Sequence, residues 1–134
     1  MRVLERRFVM AEKWNPVVWF EIPVEDLDRA KSFYEDVFEI KLELNEIGPM
    51  KMAWFTMIEG VPGAPGALVK MEDYTPSDEG VRIYLTTPDI EGTLDRITAN
   101  GGEILMSRTS IGEYGFIAQF SDTEGNRIAL HSMK

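Results

Sequence analysis

The chain has 134 residues, enough for one domain with a real core. Its 44% hydrophobic and 28% charged residues read as a soluble globular protein, and its net charge of −9 sets it against nucleic acid, whose phosphates call for a basic surface. With no cysteine it offers no disulfide, thiolate nucleophile or cysteine-ligated metal, and no apolar run approaches the ~20 residues of a membrane span, so a cytoplasmic protein without membrane partners is expected.

The chain opens on "MRVLERRFVMAEKW", where Glu5 and Arg6 interrupt the apolar core that a secretory signal requires. Met10 begins a second plausible start, and residues 1–14 are set apart as an N-terminal arm from a single domain over 15–134. "VVWFEIPV" (17–24) is a strand by its β-branched and aromatic content. Asp26 is a helix N-cap, and Leu27, Ala30, Phe33, Tyr34, Val37 and Phe38 recur at the spacing of one helical face, with the Tyr34 hydroxyl expected at the edge of that stripe. Strands follow at "IKLEL" (40–44), "KMAWFTMI" (51–58) and "ALVKM" (67–71), separated by a Gly48–Pro49 turn and the loop "EGVPGAPG" (59–66). That loop lacks the phosphate-binding G-K-[ST] ending and the G-x-G-x-x-G spacing, and reads as a turn-forming segment or a flap. "EDYTPSDEG" (72–80) is a polar linker without calcium-loop spacing.

The second half repeats the order. A strand at "VRIYLTT" (81–87) leads to Asp89 as N-cap, a helix over 90–102 with Ile90, Leu94 and Ile97 on one face and Gly101 as a left-handed C-cap, then strands at 103–107, 114–120 and 127–132. A shift of 63 residues carries Asp26 onto Asp89, Leu27 onto Ile90 and Tyr34 onto Ile97. The chain thus reads as two copies of one strand–helix–three-strand unit, 15–71 and 81–134, joined by 72–80.

Two motifs identify a family. "EIPVEDLDRAKSFYEDVF" has a D-L-x-x-A-x-x-F-Y core, and "SDTEGNRIALHS" a D-x-x-G-N-x-I ending; together with the repeat they resemble the vicinal oxygen chelate superfamily of glyoxalase I, bleomycin-resistance proteins and extradiol dioxygenases, over about residues 15–133. The resemblance implies an α+β fold of two βαβββ modules, whose curved mixed sheets surround a cleft and whose helices seal the outer face. It fixes the fold more than the function, because one fold serves many reactions.

Strand alternation assigns side chains to the cleft: Trp19 and Glu21 on the first strand, Leu68 and Lys70 on 67–71, Arg82, Tyr84 and Thr86 on 81–87, and Ala129 and His131 on 127–132. Metal-bearing members of the family hold a divalent ion with His, Glu or Gln at one place on the first and one on the last strand of each module. Here the corresponding positions, seven before each helix-start Asp and four after each turn Gly, are Trp19, Arg82, Lys70 and Ala129, none of them a suitable donor. The expectation is therefore no cofactor and no metal. A displaced ion at Glu21 and His131, or a metal-free acid–base pair of the same two residues, is the weaker alternative; His131 is the only histidine. No Ser lies in a nucleophile elbow.

The cleft then offers Lys70 and Arg82 beside Trp19 and Tyr84, a setting for a small aromatic or anionic ligand. Internal neutralisation of the two cations by Glu21 or Glu72 is the competing reading. Three functions stay open: a binding or sequestering protein of bleomycin-resistance type, a metal-dependent glyoxalase-type lyase, isomerase or dioxygenase with a displaced site, and a non-catalytic accessory or oligomerisation domain. A homodimer is expected from the resemblance and from strand edges that invite pairing.

Overall fold

The computed structural model describes residues 15–134; the N-terminal arm and Met10 lie outside the described residues. The elements are β1 (Phe20–Pro23), α1 (Leu27–Phe38), β2 (Leu42–Ile47), β3 (Met50–Phe55), β4 (Gly66–Lys70), β5 (Tyr84–Thr86), α2 (Ile90–Ala99), β6 (Glu103–Ser110), β7 (Phe116–Ser121) and β8 (Arg127–Ser132), with a single 3₁₀ turn at Gly112–Tyr114. The order is the expected duplication. Each module is a four-stranded mixed sheet, β1-β4-β3-β2 and β5-β8-β7-β6, with β1·β4 and β5·β8 parallel and the other pairs antiparallel.

Local chemistry sets the helix ends. Asp26 Oδ1 accepts from Arg29 N–H at 3.0 Å, satisfying one of the orphan donors of the first turn of α1. α2 ends where Gly101, at φ +93°, takes the left-handed conformation expected of it, and Gly102 N–H returns to Ile97 O at 2.9 Å.

One core joins the modules. Ala30, Phe33, Tyr34 and Val37 of α1, Ile90, Leu94 and Ile97 of α2, Ile22 and Leu68 of the first sheet and Phe120, Ile128 and Leu130 of the second belong to a single buried cluster. Phe33 reaches Phe120 of β7, with ring centroids 6.1 Å apart, and Tyr34 stands edge-on to Phe55 of β3. The helical stripe therefore does more than seal its own sheet: the adjacent aromatics pack against both modules, and the helices form the layer at which the modules meet.

The Tyr34 hydroxyl is the centre of a buried polar link rather than the edge of the stripe. It donates to Asp122 Oδ2 at 2.7 Å, and Asp122 also accepts from Asn126 Nδ2, Asn126 N–H and Glu124 N–H. Desolvation raises the Asp122 carboxyl above its ordinary value, against the pull of these four hydrogen bonds; burial first, then the nearby Asp122, pushes the Tyr34 phenol well up. Two residues on, the Glu124 side chain is fully buried and accepts from the N–H groups of Glu25 (3.0 Å) and Asp26 (2.9 Å) and from Arg29 Nε (2.7 Å) and Nη2 (3.0 Å). A turn of the second module thus clamps the helix start of the first. Burial by itself raises the Glu124 carboxyl, but the Arg29 guanidinium, the Asp26 and Glu25 amides and the Thr123 hydroxyl outweigh it and hold it at about 2.

Candidate functional site

The sheet faces turned away from the shared core carry the candidate site. On the first sheet the register aligns Glu43, Trp54, Ala67 and Glu21 in one row and Asn45, Met52, Val69 and Pro23 in the next. Met52, Ala67 and Val69 are buried there, and Met50, Trp54, Met71 and Tyr74 pack on them as a second, smaller apolar cluster. Trp19, 38% exposed, stands edge-on to Trp54 with centroids 5.7 Å apart, and its Nε1 donates to Glu21 Oε2 at 3.2 Å. Burial, then the Glu21 carboxylate, raises the Tyr74 phenol. Trp54 Nε1 is buried without a hydrogen-bond partner among the described residues, an indole donor aimed at nothing.

The outer face of the second sheet is polar. Tyr84, Ala129, Gln119 and Met106 form one row and Thr86, His131, Ile117 and Thr109 the next. Arg82 Nη1 and Arg127 Nε both donate to Gln119 Oε1. His131 Nε2 lies 2.6 Å from Tyr114 O.

These placements sort the sequence-derived candidates. Trp19 and Glu21 face outward from the first sheet and Arg82, Tyr84, Ala129 and His131 from the second, as alternation indicates. Leu68 and Lys70 do not. Leu68 is in the helix-side core, and Lys70, on the same side, donates to Glu25 O and lines a groove of about 420 Å³ with Leu27, Asp28, Glu46 and Lys51. The error lies in the choice of turn glycine. Gly66 is a strand residue pressed against Phe20, where a Cβ would collide with the ring and with Phe20 O, whereas Gly63, at φ +112°, has the left-handed backbone of Gly125 at φ +92°. Four residues after Gly63 comes Ala67, the true counterpart of Ala129.

The four family metal positions are thus Trp19, Ala67, Arg82 and Ala129, and none supplies a lone pair suited to a divalent ion. Among the described residues no three His, Asp or Glu side chains gather within reach of one ion. Glu21 and His131 are on different sheets, each with its own partner, and no hydrogen bond joins them. Nor does Glu21 neutralise a cation: neither Lys70 nor Arg82 is paired with it or with Glu72 among the described residues. Sequence reasoning missed Met52, Trp54 and Tyr74, although the alternation of "KMAWF" places Met52 and Trp54 together on one face, and it missed the Gln119 and Arg127 contacts, which no local pattern carries.

A family model for the Glyoxalase/Bleomycin resistance protein/Dioxygenase superfamily matches residues 17–130. A glyoxylase-like domain-containing protein of Didymella fabae is 34% identical over 114 residues, covering 82% of this chain and 88% of that protein. Among solved structures, a glyoxylase/bleomycin resistance protein/dioxygenase domain from Frankia sp. EAN1pec superposes with TM-score 0.70 at 13% identity over 91% of this chain and all of that one (100%). TnmS3, an antibiotic binding protein from Streptomyces sp. CB03234, superposes with TM-score 0.63 at 25% identity, covering 90% and 97% of the two chains. The chain belongs to the glyoxalase/bleomycin resistance/dioxygenase superfamily. No helix among the described residues is long and apolar enough to cross a membrane.

Proposed function

We propose that this member of the glyoxalase/bleomycin resistance/dioxygenase superfamily is a small-molecule binding protein, taking a flat aromatic ligand on the outer face of its first sheet. The observation that carries the reading is the Trp19–Trp54 pair over the Met50, Met52 and Met71 floor, with the Trp54 indole N–H buried and without a partner among the described residues. Tryptophan faces stack on planar ligands, methionines adapt to irregular ones, and a buried donor without an acceptor gains a hydrogen bond when a ligand carbonyl or hydroxyl arrives. The antibiotic-binding description of TnmS3 points the same way. Trp19, Ala67, Arg82 and Ala129, at the positions the family resemblance assigns to metal ligands, weigh against a metal-dependent reaction of glyoxalase type.

The same reading takes the protein as a cytoplasmic homodimer. Trp19, Ile47 and Tyr84 are 38%, 51% and 51% exposed on the two outward faces, and a second copy laying its Tyr84 face over the tryptophan face would enclose the ligand between chains. Tryptophan emission tests the binding step. Titration with naphthol, a neutral aromatic, and with naphthoate is expected to quench or shift the emission, and Trp19→Ala to weaken binding about tenfold or more, in keeping with the loss of one stacking partner. No response to either compound, or to a wider set of aromatic acids and keto acids, would overturn the reading.

A further inference from the structure

The outer face of the second sheet holds two arginines in an arrangement that neither the motifs nor the family assigns. The parallel register sets Tyr84 against Ala129; Arg82 lies two residues ahead of Tyr84, just before β5, and Arg127 two residues ahead of Ala129, at the start of β8. Both reach the same atom: Arg82 Nη1 and Arg127 Nε each donate to Gln119 Oε1 at 2.8 Å. An amide oxygen accepts two hydrogen bonds but carries no net charge, so it positions the guanidiniums without neutralising them. Two permanently charged groups held on one atom repel each other, and an arrangement of this kind is relieved by an anion between them.

No such anion comes from the described residues. Among the described residues neither arginine forms an ion pair, in a chain with 23 acidic residues, whereas Arg29 finds Glu124 and Arg96 finds Glu39. Each guanidinium has five N–H donors and commits one to Gln119, which leaves planar forks suited to the paired oxygens of a carboxylate or phosphate. Ala129, between Tyr84 and Gln119 in the register, is fully buried and adds only a methyl to the floor beneath them.

We propose that Arg82 and Arg127, held in register by Gln119, form a clamp for the oxyanion of a small ligand, a carboxylate or a phosphate. The inference deepens the binding reading and rests on it, since it names the charged end of the ligand. Gln119 is a positioning residue and the two arginines are the binding residues.

Thermal unfolding with inorganic phosphate or benzoate, at constant ionic strength, tests the clamp. Wild type is expected to melt about 2 °C or more higher with either ion at tens of millimolar, the stronger one reporting whether phosphate or carboxylate is preferred. Arg82→Gln and Arg127→Gln should each weaken the response about tenfold. Gln119→Glu discriminates further, because it supplies an internal counterion in place of the neutral acceptor. That variant should melt at least as high as wild type without ligand and ignore both ions. A wild type that responds to neither ion, or a Gln119→Glu or arginine variant that responds as wild type does, overturns the clamp. Naphthol quenching reports the tryptophan face alone, so stabilisation by either ion without it sinks the aromatic-binding reading, and quenching without stabilisation by either ion sinks the clamp.

Discussion

Glu124→Gln tests how the two modules are held together. The Glu124 carboxylate accepts from two backbone N–H groups and from both Arg29 nitrogens at 2.7–3.0 Å, and it is held at about 2 against an ordinary 4.5. A shift of this size corresponds to about 3 kcal/mol of preferential stabilisation of the charged form, at ~1.4 kcal/mol per pH unit. Because the Arg29 side chain is 51% exposed, solvent screens part of that attraction, and about 2 kcal/mol is the expected share. With the Thr123 hydroxyl these make five donors, and the amide of Gln cannot accept from all of them, since half of its head is itself a donor.

The sign of the pH dependence follows from the lowered carboxyl. A group that is more acidic in the folded state stabilises it at pH above the unfolded value, here 4.5, and the contribution disappears as pH falls through about 2. Urea unfolding of wild type and Glu124→Gln at intervals from pH 7 to pH 2 should therefore show a gap of about 2 kcal/mol, or roughly 6–10 °C in melting temperature, that narrows steadily below pH ~4.5. Other carboxylates titrate in both proteins and cancel in the difference. A gap below ~0.5 kcal/mol at pH 7, or one that keeps its size down to pH 2, would refute the clamp between the turn and α1.

The remaining predictions probe other parts of the fold and site. Tyr34→Phe removes one of the four donors to the buried Asp122 carboxylate and should cost about 1–3 kcal/mol in urea unfolding, with the Asp122 carboxyl carbon titrating at still higher pH by NMR. Gly66→Ala drives a methyl into Phe20 and should cost about 2–4 kcal/mol, whereas Gly63→Ala, with open space but φ +112°, should cost only about 1 kcal/mol; equal melting temperatures for the two would contradict the β1–β4 register. Trp54→Phe deletes an unpartnered indole N–H and should change stability by less than ~1 kcal/mol while lowering affinity for a hydrogen-bonding aromatic ligand, as read by fluorescence of the remaining tryptophans. Protein purified without chelators should contain substoichiometric zinc, nickel, manganese and iron by elemental analysis; near-stoichiometric metal lost on His131→Ala and Glu21→Ala would restore a displaced metal site.

What the sequence made legible follows the range of the interactions. Asp26 marks the start of α1 because an N-cap acts within one turn, whereas Asp89 holds the matching place before α2 without a side-chain cap bond; the apolar spacing of Ala30, Phe33, Tyr34 and Val37 reports burial because it follows the helix period. Alternation likewise put Glu21, Tyr84 and His131 on the correct faces. It failed at Lys70, where two glycines compete for one turn and only the backbone conformation separates Gly63 from Gly66. The links of Tyr34 to Asp122 and of Arg29 to Glu124 join residues 88 and 95 positions apart, and no local pattern records them. The same holds for Gln119, whose amide gains its meaning only when β5 and β8 bring two arginines to it.

The duplicated framework carries two different outer surfaces. The row Glu21–Ala67–Trp54–Glu43 of the first sheet corresponds to Tyr84–Ala129–Gln119–Met106 of the second. Alanine occupies the last-strand position in both and is fully buried in each. What differs is the residue next to it on the neighbouring strand: Trp54 extends an apolar surface, while Gln119 gathers two arginines. At the positions that the family resemblance assigns to metal ligands, Trp19, Ala67, Arg82 and Ala129 would stack, space or carry positive charge rather than donate to a divalent ion. In the proposed reading the two faces would take opposite ends of one kind of molecule, an aromatic body with an anionic head, which requires a first-sheet face and a second-sheet face to oppose each other.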